Sequence, residues 1–141
     1  MIYEDKPLNF NPKFEAVGCF IEYEGKMLLL LRQDFKPNGN TWGLPSGKIN
    51  QKENPKKAVL REIEEETGIE LENVNFLKKV YVKYPEYDFI YYIFHAKLDK
   101  MPKIKINNSE HKEFIWKYPK DTLNFKVIRD LDNCIKLFYK L

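Results

Sequence analysis

One short helix in this chain carries more negative charge near its C-terminal end than an isolated helix tolerates. Asn54 and Pro55 are typical of a helix start and Gly68 of a helix stop, so the sequence predicts a helix of roughly three turns from Pro55 to Thr67. Four glutamates lie in its second half, beside the negative end of the helix dipole. Two of them, Glu62 and Glu66, also repel each other at a spacing of four residues. Such a helix needs a positive partner.

Helix geometry places three of these glutamates on one face. At about 100° per residue, Glu62, Glu65 and Glu66 fall within an arc of roughly 100°, whereas Glu64 lies on the opposite side. Clustered carboxylate oxygens suit a hard divalent cation such as Mg²⁺ or Mn²⁺. The residues alone also fit a solvated acidic surface, which is the usual role of a charge run. The adjacent apolar stripe is suited to packing on a sheet and consists of Val59, Leu60, Ile63 and Thr67.

The spacing around this helix forms a long motif. Gly47 is followed after five residues by Glu53, and after seven more by the run Arg-Glu-Ile-Glu-Glu-Glu-Thr-Gly-Ile, from Arg61 to Ile69. This pattern resembles the Nudix box at every position that the box specifies, and the segment from Trp42 to Ser46 is similar to the family's usual lead-in. A motif of this length is far more specific than a short glycine fingerprint. The resemblance therefore favours a metal site over a solvated acidic surface.

Resemblance to the Nudix family implies a fold and an activity. The fold is an α/β/α sandwich, in which a mixed sheet lies between the box helix and a C-terminal helix. The activity is hydrolysis of a nucleoside diphosphate linked to another group, with Mg²⁺ or Mn²⁺ as cofactor. The alternative is a catalytically silent nucleotide-binding or regulatory module that keeps the same fold.

The resemblance also implies roles for the residues of the box. Glu62, Glu65 and Glu66 correspond to metal ligands, and the backbone carbonyl of Ser46 is a further candidate ligand. Ser46 departs from the family pattern, which commonly has glycine there. The residues that would hold the box together, among which Glu53 and Arg61 would join the loop to the helix, are Gly47, Glu53, Arg61 and Gly68.

Hydrolysis also needs a general base, and the sequence leaves its identity open. Residues 109–116, Ser-Glu-His-Lys-Glu-Phe-Ile-Trp, resemble the family segment that often supplies another catalytic or metal-binding glutamate. We favour Glu110, because it precedes a predicted strand on a polar loop, and Glu113 is its alternative. Glu62 and Glu110 could also exchange the roles of ligand and base.

Candidate substrate contacts flank the same motif. The candidates for phosphate binding are Arg32, at the end of a predicted strand, and Lys48, directly after Gly47. Trp42 and Tyr87 are candidates for stacking on a nucleobase. Within the family, the offsets of Pro85 and Tyr87 are associated with ADP-ribose and dinucleoside polyphosphate hydrolysis respectively, so these two hints cancel. Nucleoside triphosphates, nucleotide sugars, ADP-ribose and dinucleoside polyphosphates all stay candidates.

The histidines and cysteines are assigned to ordinary places. His95 lies in an apolar predicted strand and is expected to be a core or half-buried residue. His111 is expected to be a solvated loop residue, with a proton shuttle as the alternative. Cys19 and Cys134 lack metal-ligand spacing and are expected to be reduced core thiols.

Composition limits the partners of this chain. Its 141 residues, 43% hydrophobic and 32% charged, predict one folded domain over residues 1–141. The net charge of +3 comes from scattered lysines without a basic run, which argues against nucleic-acid binding. The longest apolar run, Met27 to Leu31, is far shorter than the ~20 residues that span a bilayer. The first residues lack the pattern of a secretory signal. We therefore expect a cytoplasmic monomer or homodimer that acts on a small nucleotide, away from membranes.

Periodicity predicts five strands and one more helix outside the box. The expected strands are rich in branched and aromatic residues: Phe14–Tyr23, Lys26–Arg32, Val74–Tyr84, Tyr87–Leu98 and Glu113–Tyr118. A polar loop is predicted from Lys100 to Ser109 and a closing amphipathic helix from Phe125 to Tyr139.

Overall fold

The computed structural model describes residues 1–141 and contains eight strands and three helices. The strands are β1 (Ile2–Tyr3), β2 (Pro12–Tyr23), β3 (Lys26–Arg32), β4 (Trp42–Gly43), β5 (Ser46–Lys48), β6 (Asn75–Lys83), β7 (Asp88–Leu98) and β8 (His111–Lys117). The helices are α1 (Pro55–Thr67), α2 (Pro119–Thr122) and α3 (Leu131–Tyr139).

The sheet is mixed, and its centre is a parallel pair. β2 runs parallel to β7 from Pro12↔Asp88 to Tyr23↔Leu98, while the other strand pairs are antiparallel. The strand order is β1-β6-β7-β2-β3-β4, with β5 paired to β2 and β8 paired to β3. β2 and β3 exchange only two residue pairs beside their turn. The strands then separate, which leaves room for β5 to pair with residues 16–18 of β2.

Both faces of the sheet are buried, because alternate side chains of its central strands point to opposite layers. On one face, Val59 and Ile63 of α1 pack with alternate residues of β2 and β3. On the other face, Leu131 and Ile135 of α3 pack with Phe20 of β2 and with other strand residues. The predicted α/β/α sandwich is confirmed.

Sequence periodicity placed the long elements well and missed the short ones. α1 and β3 have the predicted bounds. β2 and β7 differ from the prediction by two residues and one residue at their starts, and β6 by one residue at each end. β1, β4 and β5, with two or three residues each, are too short to show an alternating pattern. β8 begins at His111 rather than at the predicted Glu113, because His111 still pairs with Arg32 of β3.

The predicted closing helix is wrong in its first half. α3 starts at Leu131, whereas the prediction started at Phe125. Residues 126–128 instead form backbone hydrogen bonds with Trp42 of β4, at 2.9 Å to its N–H and 2.8 Å to its carbonyl. The apolar side chains of this segment still face the core, so helical periodicity alone could not reveal the extended backbone.

The structure also bears on two further features, the two cysteines and the length of the helices. Cys19 and Cys134 are both buried and free, as predicted. None of the three helices has the length and apolar character that a membrane span requires.

Candidate active site

The acidic helix α1 is held at both ends by the residues that suggested its bounds. The Oδ1 atom of Asn54 accepts a hydrogen bond of 2.8 Å from the backbone N–H of Lys57. Gly68 has φ of 76°, a conformation that favours glycine, and its N–H donates to the carbonyl of Glu64 at 2.9 Å. These two caps fix the ends of α1, and the glutamates lie in its second half.

Arg61 is the positive partner that the acidic helix needs. Its guanidinium forms a bidentate pair with Glu53, at 2.7 Å and 2.8 Å. The same group contacts Glu62 at 2.8 Å and Glu65 at 3.3 Å. It also donates to the backbone carbonyl of Lys48 at 3.1 Å. One side chain therefore ties the loop before α1 to the acidic face of the helix.

The bidentate pair has a marked effect on Glu53. Its hydrogen bonds with Arg61 lower the pKa of the Glu53 carboxyl to about 2. A folded-state pKa below the ordinary value of 4.5 means that folding favours the charged form. The resulting stability is present above about pH 4.5 and is lost as the pH falls toward 2.

Replacing Glu53 with Gln is expected to lower the free energy of unfolding at pH 7 by about 1 kcal/mol, the scale of a partly exposed ion pair. This corresponds to a decrease in Tm of roughly 3 °C. The difference from wild type should shrink at pH 3, where the wild-type carboxylate begins to protonate. Thermal unfolding at both pH values measures it. Glu64→Gln, on the exposed face of α1, is the matched control and should leave Tm unchanged. Equal Tm values for wild type and Glu53→Gln at pH 7 would contradict the role of this pair.

Glu66 is the most deeply buried acid of the helix. Only 7% of its surface is exposed, and its carboxylate accepts a 2.8 Å hydrogen bond from the backbone N–H of Ser46. Burial raises its pKa well above the usual range, and the charges of Glu62 and Glu110 add to this effect. Burial also raises the pKa of Glu62, although its contact with Arg61 opposes the change. Glu62 and Glu66 therefore lie in a poorly hydrated region, and Glu110 adds negative charge to it from a second segment.

The carboxyl group of Glu62 lies close against Gly47. A Cβ atom built on Gly47 would overlap the carboxyl group of Glu62. Gly47 lies in β5, whose pairing with β2 fixes its backbone. The loop and the acidic helix therefore meet without an intervening side chain.

The acidic face offers carboxylate oxygens to a hard cation, but these oxygens are not arranged as a complete coordination site. No three His, Cys, Asp or Glu side chains converge closely enough to hold a metal ion, since Arg61 draws Glu62 and Glu65 toward itself. The contact of Glu65 is long and its side chain is 56% exposed, so turning it away from Arg61 costs little. Burial and neighbouring carboxylates raise the pKa of Glu62 and Glu66, and a Mg²⁺ or Mn²⁺ ion would offset this cost of holding negative charge.

The structure distinguishes the two glutamates near β8. Glu110 lies directly before the strand, near enough for its charge to raise the pKa of both Glu62 and Glu66. Its carboxylate pairs with Lys36 at 3.4 Å. Glu113 is an exposed residue within β8, opposite Leu31, and does not contribute to either shift.

A cavity of about 470 Å³ opens beside this acidic region. Such a volume is within the range of small-molecule sites. Glu66, Ser46 and Gly47 lie on its wall together with three basic residues, Arg32, Lys48 and Arg129. Further wall residues are apolar or aromatic: Phe14, Leu44, Tyr84, Tyr87, Phe89, Tyr91 and Ile128.

The structure brings three of the four predicted substrate contacts to the cavity. Arg32, Lys48 and Tyr87 line it, and the Nζ of Lys48 lies 4.5 Å from the centre of the Phe14 ring. Trp42 is not among the lining residues. Its ring packs against Phe125, at 6.2 Å between ring centres. Its role in substrate binding stays a prediction that no contact with the cavity supports.

The expectation for His111 is wrong. Its side chain lines the cavity and is only 3% exposed, whereas the sequence suggested a solvated loop residue. Burial, together with the nearby charge of Arg32, lowers its pKa to about 4. His95 is half-buried as predicted and hydrogen-bonds to Glu22 at 2.8 Å.

Several wall residues of the cavity are not among the site residues that the sequence predicts. One signal was available, because Tyr87, Phe89 and Tyr91 alternate along the chain and alternate residues of a strand share a face. Arg129 and Asp130 gave no signal, since they were assigned to the interior of the predicted helix. They reach the cavity because α3 starts only after Asp130, which has φ of 67°.

Comparison with known proteins gives a consistent result. The family model of the NUDIX domain matches residues 12–138 of this chain. The Bacillus subtilis protein YtkD is 30% identical over 101 residues, which are 72% of this chain and 60% of YtkD. The chain therefore spans less than two thirds of that relative. The CTP pyrophosphohydrolase of Escherichia coli is 27% identical over 115 residues, covering 80% of this chain and 82% of the relative.

Among solved structures, a MutT protein from Methanosarcina mazei has a similar fold. It superposes with a TM-score of 0.81 at 28% identity, covering 95% of this chain and 97% of the other. The mixed sheet between the box helix and the C-terminal helix is common to both, as the resemblance of the sequence predicted.

Proposed function

This chain belongs to the Nudix family, and we propose that it is a pyrophosphohydrolase, which cleaves a phosphorus anhydride bond in a nucleoside diphosphate linked to another group. The observation that carries this proposal is the position of Glu66. Its buried carboxylate lies on the wall of a nucleotide-sized cavity, close to Glu62 and Glu110. Burying a carboxylate among like charges costs free energy, and acids perturbed in this way cluster at functional sites.

The cavity suggests how a nucleotide would bind. Arg32 and Lys48 line the same cavity as Glu66 and would hold the phosphates. The aromatic cluster of Tyr84, Tyr87 and its neighbours provides flat apolar surface for a nucleobase. Phosphates held by these basic side chains, with the base on the aromatic cluster, would place the anhydride bond beside the acidic helix.

The side chains of α1 would hold the divalent cation, with the Ser46 carbonyl as a further ligand. Bound there, Mg²⁺ or Mn²⁺ supplies neutralisation of phosphate charge and Lewis acidity. Arg61 would keep the loop and Glu62 in place through its bond to Glu53. Glu110 would accept the proton of the attacking water.

Mg²⁺ is expected to raise the Tm of the protein, because only the folded chain assembles the acidic face. At a concentration of about 100 times Kd, the stabilisation would be about 2.7 kcal/mol, or roughly 8 °C. Glu65→Gln combined with Glu66→Gln should abolish this response, whereas Glu64→Gln should retain it. Thermal unfolding with and without Mg²⁺ makes the comparison. An unchanged metal response together with wild-type turnover in the double variant would disprove the site.

The reaction itself is tested with Mg²⁺ by a coupled phosphate assay, because cleavage of the anhydride yields pyrophosphate or phosphate monoesters. Inorganic pyrophosphatase converts the product of nucleoside triphosphates to phosphate, and alkaline phosphatase that of the other substrates. The panel consists of nucleoside triphosphates, nucleotide sugars, ADP-ribose and dinucleoside polyphosphates. We propose nucleoside triphosphates as the first class to test, because a relative matched over most of its length is named as a CTP pyrophosphohydrolase. Binding without turnover across the panel would instead identify a catalytically silent module.

The finer properties of the protein stay predictions. We expect the small nucleotide to be its partner rather than a nucleic acid, and the state in solution to be a monomer or homodimer. Cytoplasmic location likewise stays a prediction.

A further inference from the structure

His111 has a polar atom that the fold does not use. The residue starts β8, and its backbone N–H donates to the carbonyl of Asn107 at 2.9 Å. Its side chain is 97% buried, yet the Nδ1 atom has no hydrogen-bond partner in the protein. Buried polar atoms are nearly always paired, because an unpaired one costs the free energy of desolvation. An apolar side chain would fill this place at lower cost, so packing does not explain the histidine.

The Nδ1 atom is shielded from solvent, so a ligand in the cavity would meet the other ring nitrogen, Nε2, which likewise forms no hydrogen bond in the protein. The residue lines the cavity and pairs with Arg32 across the β3 and β8 strands. The Nε atom of Arg32 donates to the carbonyl of Pro37 at 2.8 Å, and its terminal nitrogens form no hydrogen bond or ion pair in the protein. Two unused sets of donors therefore lie next to each other at the cavity that Glu66 also lines. An imidazole N–H beside a guanidinium suits an oxygen-rich anion such as a phosphate.

We propose that His111 is a substrate-positioning residue, whose imidazole donates a hydrogen bond to a phosphate oxygen held by Arg32. Arg32 supplies the charge and His111 adds a directed hydrogen bond that fixes the orientation of the phosphate. This inference rests on the proposed function, since it names a further contact within the same cavity.

Inorganic pyrophosphate is the probe, because it carries the phosphates without the base. Its affinity in Mg²⁺ buffer is measured by calorimetry for wild type, His111→Phe and His111→Gln. The Phe variant keeps a planar ring without a donor, and its Kd should rise about 10- to 100-fold. Gln places an amide near the position of Nε2 and should recover part of the loss. The Tm of His111→Phe should equal or exceed that of wild type, because no hydrogen bond is lost.

His95→Phe is the matched control, because His95 bonds to Glu22 and does not line the cavity. Its affinity for pyrophosphate should equal that of wild type. An unchanged Kd in His111→Phe, or the same loss in His95→Phe, would overturn the inference, as would wild-type protein that does not bind pyrophosphate. The measurement does not depend on turnover. Loss of binding in His111→Phe alone would support the inference even if the substrate panel showed no hydrolysis.

Discussion

Glu110→Gln is expected to lower kcat by about 10²–10⁴-fold, the range for loss of a general base. The amide keeps the shape of the side chain but cannot accept the proton of the attacking water. The position of Glu110 supports its assignment as the base, since its charge raises the pKa of both Glu62 and Glu66. Steady-state kinetics on the best substrate of the panel provide the measurement, and the Mg²⁺-induced increase in Tm should persist in the variant.

Glu113→Gln is the matched control for this prediction. Glu113 is three residues farther along and exposed within β8, so its replacement should change kcat by less than about threefold. An inactive Glu113→Gln beside an active Glu110→Gln would reverse the assignment. If neither variant loses activity, Glu62 becomes the leading candidate for the base.

Glu66→Gln is expected to lower turnover by about 10³-fold or more, because charge stabilisation at a metal site is worth several kcal/mol. The same change should raise the Tm of the metal-free protein by roughly 3 °C, as it removes about 1 kcal/mol that arises from burying a carboxylate and from its repulsion with Glu62 and Glu110. The new amide oxygen can still accept the hydrogen bond from the N–H of Ser46. A stability gain with an activity loss separates a functional acid from a structural one.

Turnover and thermal unfolding of Glu66→Gln are measured beside Glu64→Gln, which removes a charge from the exposed face of the same helix turn. Glu64→Gln should retain wild-type turnover. If Glu66→Gln is less stable than wild type without metal, its carboxylate supports the fold, and the argument from its burial is wrong.

The sequence by itself determined the box helix and its acidic face. Asn54, Pro55 and Gly68 define the bounds of α1 through local hydrogen bonds and backbone conformation, which depend only on neighbouring residues. The spacing of Glu62, Glu65 and Glu66 follows from the helical repeat in the same way. The long motif then gave the family and the sandwich fold, which the comparisons confirm.

Tertiary structure decided what lies around that face. Residues 126–128 are extended because Trp42 supplies their hydrogen bonds from a strand more than 80 residues away. His111 is buried because β8 pairs with Arg32 across a similar distance. Arg129 reaches the cavity only because α3 starts late. Contacts between distant segments leave no periodic pattern in either segment alone, so the walls of the cavity appear only when the chain is folded.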